Sequence, residues 1–323
     1  MSQSLAARLW TYQAERFPLF KTALLVLFFT AATISVSATL AGRALPNWTV
    51  FAGVWFCVLI LFFQMRVADE FKDYEVDLAY RPERAVPRGL VTRRLLAWLA
   101  VFFGGLALFV TGLISFKLIW PLLAVWLWLG LMSFEFFVPD WLKSRPLIYL
   151  ISHMAIMPLI DFYVSAAEWL DYGDKPGLGL YLFYALSFLN GCVLEFGRKI
   201  WAPENEREGV ETYSASYGPK RAVTAWAMAC ILAAGTLLCV SYFLGTWHWV
   251  LVPTVLILGA LLKLAFDFAS DPTAKRQKWL DTASGLWVLS AYGLAGFVPL
   301  IGCLLYTSPS PRDQRGSRMP SSA

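Results

Sequence analysis

Asp69, Asp73 and Asp77 stand four residues apart, and Glu70 stands three before Asp73. On an α-helix this spacing stacks the aspartates on one face, drifting by about 40° per step. Like charges so placed repel. A divalent cation removes that cost: Mg2+ takes a few carboxylates, keeps water and leaves positions for phosphate oxygens. Arg66 precedes the ladder, and Arg81, Arg84 and Arg88 follow it. Guanidinium forks match phosphate geometry. Carboxylates beside arginines therefore fit a diphosphate held through Mg2+. The plainer alternative is a solvated loop whose charges only set membrane topology. It accounts for the basic residues better than for the acidic ones, because Asp and Glu contribute little to topology.

A second charged stretch, "EFGRKIWAPENEREGVETYSASYG", runs from Glu195 to Gly218. Arg198 and Lys199 offer fixed positive charge for direct contact with a diphosphate. Glu204 and Glu206 are two apart, so they diverge on a helix and converge only in a turn. Asn190 and Glu195 sit late in an apolar run, where a polar side chain faces a bundle interior, and both are candidates to line a substrate cavity. Lys143, with Glu135 and Arg145 in a third short charged loop, is a candidate to border the same inner cavity. Interfacial anchoring is the alternative for the two basic residues, and a topological anchor with a polar loop is the alternative for the second stretch.

These residues must be positioned by membrane helices. Apolar residues make up 58% of the 323-residue chain and charged residues 15%, against roughly 25% charged in a soluble domain. A bilayer core needs about 20 apolar residues of helix. Nine runs qualify, near 18–42, 49–68, 94–115, 118–138, 146–167, 178–196, 220–244, 247–266 and 283–304. The expected fold is an all-α, polytopic membrane bundle. With the N-terminus in the cytoplasm, the leader and the loops after helices 2, 4, 6 and 8 hold 21 of the 27 lysines and arginines. That bias assigns them to the cytoplasmic side. The first residues read as an amphipathic leader, with no signal-peptide pattern.

The composition excludes other classes. Five scattered cysteines form no CxxC pair, and two histidines are too few for a histidine-built metal cluster. His153 is expected to hydrogen-bond to a neighbouring helix. No nucleic-acid partner is expected. The Ser/Pro/Arg-rich tail, 305–323, is expected to be disordered and foreign to the fold, leaving 1–304 as one transmembrane domain.

"DEFKDYEVD", Asp69 to Asp77, resembles the first aspartate-rich motif of the UbiA superfamily of intramembrane prenyltransferases, commonly N-D-x-x-D-x-x-x-D. "RPERAVPRG", Arg81 to Gly89, resembles that family's R-P-x-R-P-x-x-x-G. Asp69 takes the Asn position, Glu70 the first Asp, and Ala85 replaces the second Pro. Gly209 and Thr212 resemble the end of the family's second motif, but its D-x-x-x-D is missing and Lys199 stands about where many members carry an aspartate. The resemblance implies a UbiA-like bundle in the cell (inner) membrane, with an apolar tunnel for the prenyl tail. It implies Mg2+ on Asp69, Glu70, Asp73, Asp77 and Glu206, with Asp73 and Asp77 catalytic. The diphosphate would lie on Arg66, Arg84, Arg88, Lys143, Arg198 and Lys199. The implied reaction moves a polyprenyl group from a prenyl diphosphate to a small, often aromatic, acceptor. A non-catalytic isoprenoid-binding descendant and a membrane transporter are the alternatives. Prenyl length and oligomeric state are not fixed by the sequence.

Overall fold

The computed structural model describes residues 4–306, with side chains for 4–301. The expected tail lies outside them, except for the two residues that end the last helix. The helices are α1 (Leu5–Arg16), α2 (Leu19–Leu40), α3 (Trp48–Lys72), α4 (Tyr74–Tyr80), α5 (Arg93–Ile114), α6 (Ile119–Ser133), α7 (Pro139–Lys143), α8 (Pro146–Met154), α9 (Ile156–Trp169), α10 (Leu178–Lys199), α11 (Tyr213–Tyr217), α12 (Pro219–Phe243), α13 (Trp247–Ser270) and α14 (Ala274–Tyr306). Among the described residues nine segments are long and apolar enough to cross a bilayer, and α8 and α9 together form one of them. They follow the nine apolar runs. Local chemistry fixes their starts: Asn47 and Thr92 accept backbone N–H bonds at the N-termini of α3 and α5, and Pro146 and Pro219 open α8 and α12, where no N–H is needed.

Consecutive spans touch, and α14 closes the ring on α2. At that seam a Cβ added to Gly296 would lie 2.6 Å from the Ala32 Cα, so only glycine permits the approach. The middle of the bundle is pinned by a fully buried carboxylate. Thr33 of α2 donates to Asp161 of α9 at 2.6 Å, and so does Tyr292 of α14, also at 2.6 Å. Tyr292 also reaches Ser187 of α10 at 3.1 Å. In an apolar medium each of these polar groups needs a protein partner, and this cluster supplies them.

The aspartate ladder is not a single helical stripe. α3 runs past the expected end at residue 68, so Asp69 and Glu70 are helical. Backbone hydrogen bonding continues across Asp73, but its φ of −90° and ψ of 3° leave helical geometry and turn α4 away from α3. The leader α1 explains the turn. It docks on this face through a second apolar cluster, Tyr12 with Val67, Ala85, Val86, Val91 and Leu96, and brings Arg16 against the motif. The kink lets Glu70 and Asp77 meet cations instead of repelling Asp69 and Asp73.

Candidate active site

The charged residues divide between two faces of the α3–α4 junction. On the α1 face, Arg16 Nε lies 2.6 Å from Glu70 Oε1 and Arg16 Nη2 lies 3.9 Å from Asp77. Burial alone lowers the Arg16 guanidinium, but hydrogen bonding and attraction from Glu70, then Asp77, hold it above its ordinary value. Arg84 donates to both Asp77 oxygens, at 2.6 and 2.8 Å. Arg88 is forked on Glu15 of α1, at 2.7 and 3.0 Å. Glu70, Asp77, Arg84 and Arg88 are therefore not brought together with the rest of the expected site. Each is engaged in holding the leader and the following loop.

On the other face, Asp69 is 43% exposed, against 1% for Glu70. Asp69 pairs with Arg66 at 3.2 Å and lies within the electrostatic reach of Asp73 and Arg198. Arg198 and Lys199 come from the end of α10, where both are held by Glu195, at 2.5 and 3.0 Å. Lys199 and Lys143 line a cavity of about 140 Å³ with Tyr149, Thr212, Tyr213 and Ser216. Burial, then the charge of Glu195, pushes the Tyr213 phenol up, so it stays a neutral donor. The structure thus gathers Asp69, Asp73, Arg66, Lys143, Arg198, Lys199 and Glu195.

Asn190 is buried deeper in the bundle, where its carbonyl accepts from Trp287 Nε1 at 3.0 Å. Glu206 is not near an aspartate; both its oxygens accept from Thr212 at 2.8 Å. Glu204 accepts the Ala274 N–H at 2.5 Å and so caps α14. This loop still meets the first motif: Gly209, at φ +74°, faces the Tyr80 ring, and an added Cβ would fall 2.3 Å from it. Arg145 stacks on Trp141, with 4.6 Å to the ring centroid, as an anchor does. A larger cavity, about 380 Å³, opens at the opposite face beside Arg43 and Asp174, far from every motif residue.

Sequence reasoning missed Lys72, Tyr149 and Arg16. Lys72 sits between the two aspartates of the open face. It donates to the Tyr149 hydroxyl, lies 4.7 Å from the Tyr149 ring centroid and contacts His153 Nε2 at 3.3 Å. His153 thereby bonds to a neighbouring helix. Lys72 was legible by position alone, as the only cation inside the ladder. Nothing in the leader marks Arg16, whose partner is 54 residues away.

The donor set fits Mg2+. Asp69 and Asp73 supply two carboxylates, and Mg2+ is ordinarily held by one or two carboxylates with water and substrate phosphates. Among the described residues no three His, Cys, Asp or Glu side chains form a cluster that holds an ion by itself, so this is not a closed structural site.

The fold is shared with solved structures. A UbiA homologue from Aeropyrum pernix superposes with a TM-score of 0.61 at 17% identity, over 86% of this chain and 98% of that one. A UbiA homologue from Archaeoglobus fulgidus, solved with DMAPP and Mg2+, gives a TM-score of 0.56 at 13% identity, over 88% and 99%. A digeranylgeranylglyceryl phosphate synthase of Thermococcus gammatolerans is 26% identical over 234 residues, which is 71% of this chain and 80% of the relative. The pattern of the UbiA prenyltransferase family matches residues 25–290. With the motif, the nine-span ring and the charged cavity at one end of it, the chain belongs to the UbiA prenyltransferase family.

Proposed function

We propose that the protein transfers a prenyl group from a prenyl diphosphate to a membrane-borne acceptor that carries an anionic head. The observation that supports this best is the meeting, at one end of the ring, of two half-exposed aspartates with Arg66, Lys143, Arg198 and Lys199. Asp69 and Asp73 would hold Mg2+, which would supply positive charge to the leaving diphosphate. Arg198 and Lys199, aimed by Glu195, stabilise the same developing charge. Tyr149 and Tyr213 add neutral phenols around the cavity. Burial in the bundle keeps water from the allylic cation. Glu70 and Asp77 act one step back by fixing Arg16 and Arg84.

Two acceptor classes come into question. The sequence resemblance leads to a small aromatic acceptor. The name of the Thermococcus relative, with the lysines and hydroxyls of Lys143, Lys199, Thr212 and Ser216 around one cavity, supports a prenylated glyceryl phosphate. The charge bias of the loops supports a cytoplasmic α1 face in the cell membrane. The test is incubation of the purified protein with labelled prenyl diphosphates of several lengths, with each acceptor class, with and without Mg2+. Mass spectrometry of the products decides the acceptor. Binding of the donor without pyrophosphate release, with every acceptor, would sink the enzymatic reading.

A further inference from the structure

Glu135, a candidate to border the inner cavity, is a buried acid. It follows α6, and it opens a run of three non-glycine residues with positive φ: Glu135 at 49°, Phe136 at 54° and Phe137 at 63°. L-residues avoid this region because Cβ crowds the following carbonyl. Single residues visit it, and three in succession persist only where the surroundings hold them. Here the surroundings are visible. Phe136 lies edge-on to Trp128 and to His153, at 5.4 and 6.2 Å between ring centroids. Phe134 and Phe137 stack on each other outside, at 5.9 Å. The turn sends the phenylalanines outward or against the α8 wall and sends Glu135 inward, to 4% exposure.

The carboxylate bridges two lysines. Oε1 lies 3.6 Å from Lys72 Nζ and Oε2 lies 3.7 Å from Lys143 Nζ. Neither oxygen accepts a hydrogen bond, whereas buried carboxylates ordinarily take several. The two ion pairs are therefore long and slack. Lys72 belongs to the first motif, between Asp69 and Asp73, and Lys143 lines the cavity. One buried charge thus lies between two ammonium groups from different parts of the chain, Lys143 in the cavity wall and Lys72 behind the Tyr149 that lines it, without hydrogen-bonding either.

We propose that Glu135 is a positioning residue, which aims Lys72 and Lys143 at the diphosphate and keeps their combined charge from holding it too firmly. This rests on the prenyl-transfer reading above. In the resting protein Glu135 offsets part of the lysine charge that would otherwise repel across the site. The slack pairs leave Lys143 free to turn to an arriving polyanion, and Lys72 turns to it by exchanging its bond to the Tyr149 hydroxyl. Glu135 then remains beside them as a like charge to the diphosphate. It weakens ground-state and product binding, and it fixes the direction from which the ammonium groups approach the leaving oxygens. Uniform tightening of diphosphate binding does not speed the reaction, so removing this carboxylate splits binding from turnover.

The experiment compares wild type, Glu135→Gln and Glu135→Asp in detergent. Binding of inorganic pyrophosphate with Mg2+ is measured by calorimetry, and prenyl transfer is followed as kcat and donor KM. Removing one charge about 4 Å from the ligand's partners makes Glu135→Gln bind pyrophosphate on the order of tenfold more tightly. Its donor KM falls, and kcat falls at least as far. Glu135→Asp, which keeps the charge, restores kcat in part. Lys143→Met in the Glu135→Gln background removes most of the gain in affinity. A role confined to stability lowers folded yield in Glu135→Gln and leaves pyrophosphate affinity and KM where they were. That result overturns the proposal, as does weaker pyrophosphate binding. If Glu135→Gln does not fold, Lys143→Met decides: it is expected to weaken pyrophosphate binding, and unchanged affinity refutes the proposal. Should wild type itself bind no pyrophosphate, the prenyl-transfer reading fails, and that result is distinct from these.

Discussion

Arg16 of the leader and Glu70 of the motif helix form a buried ion pair with Nε 2.6 Å from Oε1. The pair joins the leader helix α1 to the acidic motif. Breaking a buried pair from one side leaves an uncompensated charge, which costs about 3–5 kcal/mol. Arg16→Ala is therefore expected to lower the thermal midpoint in detergent markedly. The double variant Arg16→Ala/Glu70→Ala recovers part of the loss. A midpoint of Arg16→Ala within experimental error of wild type would count against the pair as a structural element.

Asp73 and Asp77 separate by phenotype. Asp73→Ala is expected to abolish prenyl transfer and Mg2+-dependent pyrophosphate binding while the protein stays folded. Asp77→Ala leaves Arg84 and part of Arg16 without a partner, so its first effect is on stability, by about 3 kcal/mol. Paired thermal-shift and calorimetric measurements distinguish them. Equal loss of pyrophosphate binding in two equally stable variants would argue for a joint metal site instead.

Gly209→Ala tests the meeting of the two charged loops. The glycine combines a left-handed φ of +74° with a Tyr80 ring where a Cβ would stand. The alanine variant is expected to lose activity through a displaced loop. Tyr80→Ala in the same chain removes the clash but not the backbone preference, so it restores activity only in part. Full activity of Gly209→Ala alone would show that the loops do not need this contact.

Tyr292→Phe removes one donor from the buried Asp161. Hydrogen bonds between membrane helices are worth about 0.6 kcal/mol on average and up to about 1.7. The expected result is a modest fall in unfolding stability with donor affinity unchanged, since the cluster lies apart from the charged cavity. Urea or dodecyl sulphate titration of the purified protein measures it.

Much of this was legible in the chain because hydropathy is local. Each span is written in its own residues, and the caps at Asn47 and Thr92 lie beside the helices they start. The charge of the first motif is local too: its carboxylates and arginines stand at short spacing at the end of a membrane helix. The division of the motif is not. Whether Glu70 faces a metal or an arginine depends on α1, whose docking rests on Tyr12 meeting Val67 and Leu96. Spacing also misled at Asp77, since a four-residue ladder presumes a straight helix and Asp73 bends it. Glu206 was chosen for its charge, while its place beside Thr212 follows from a turn that no periodicity encodes. The left-handed turn at Glu135 contains no glycine and carries no sequence signal at all.

The seam between Gly296 and Ala32 has a consequence for biosynthesis. The first span and the last are neighbours in space, so a growing chain can insert eight spans and still possess no closed ring. Until α14 arrives, Asp161 lacks the hydroxyl of Tyr292, and the ring stays open along one side. Every motif residue is made before α14, yet the ring that surrounds them is completed last. A partly translated chain therefore carries the charged groups before the ring around them has closed.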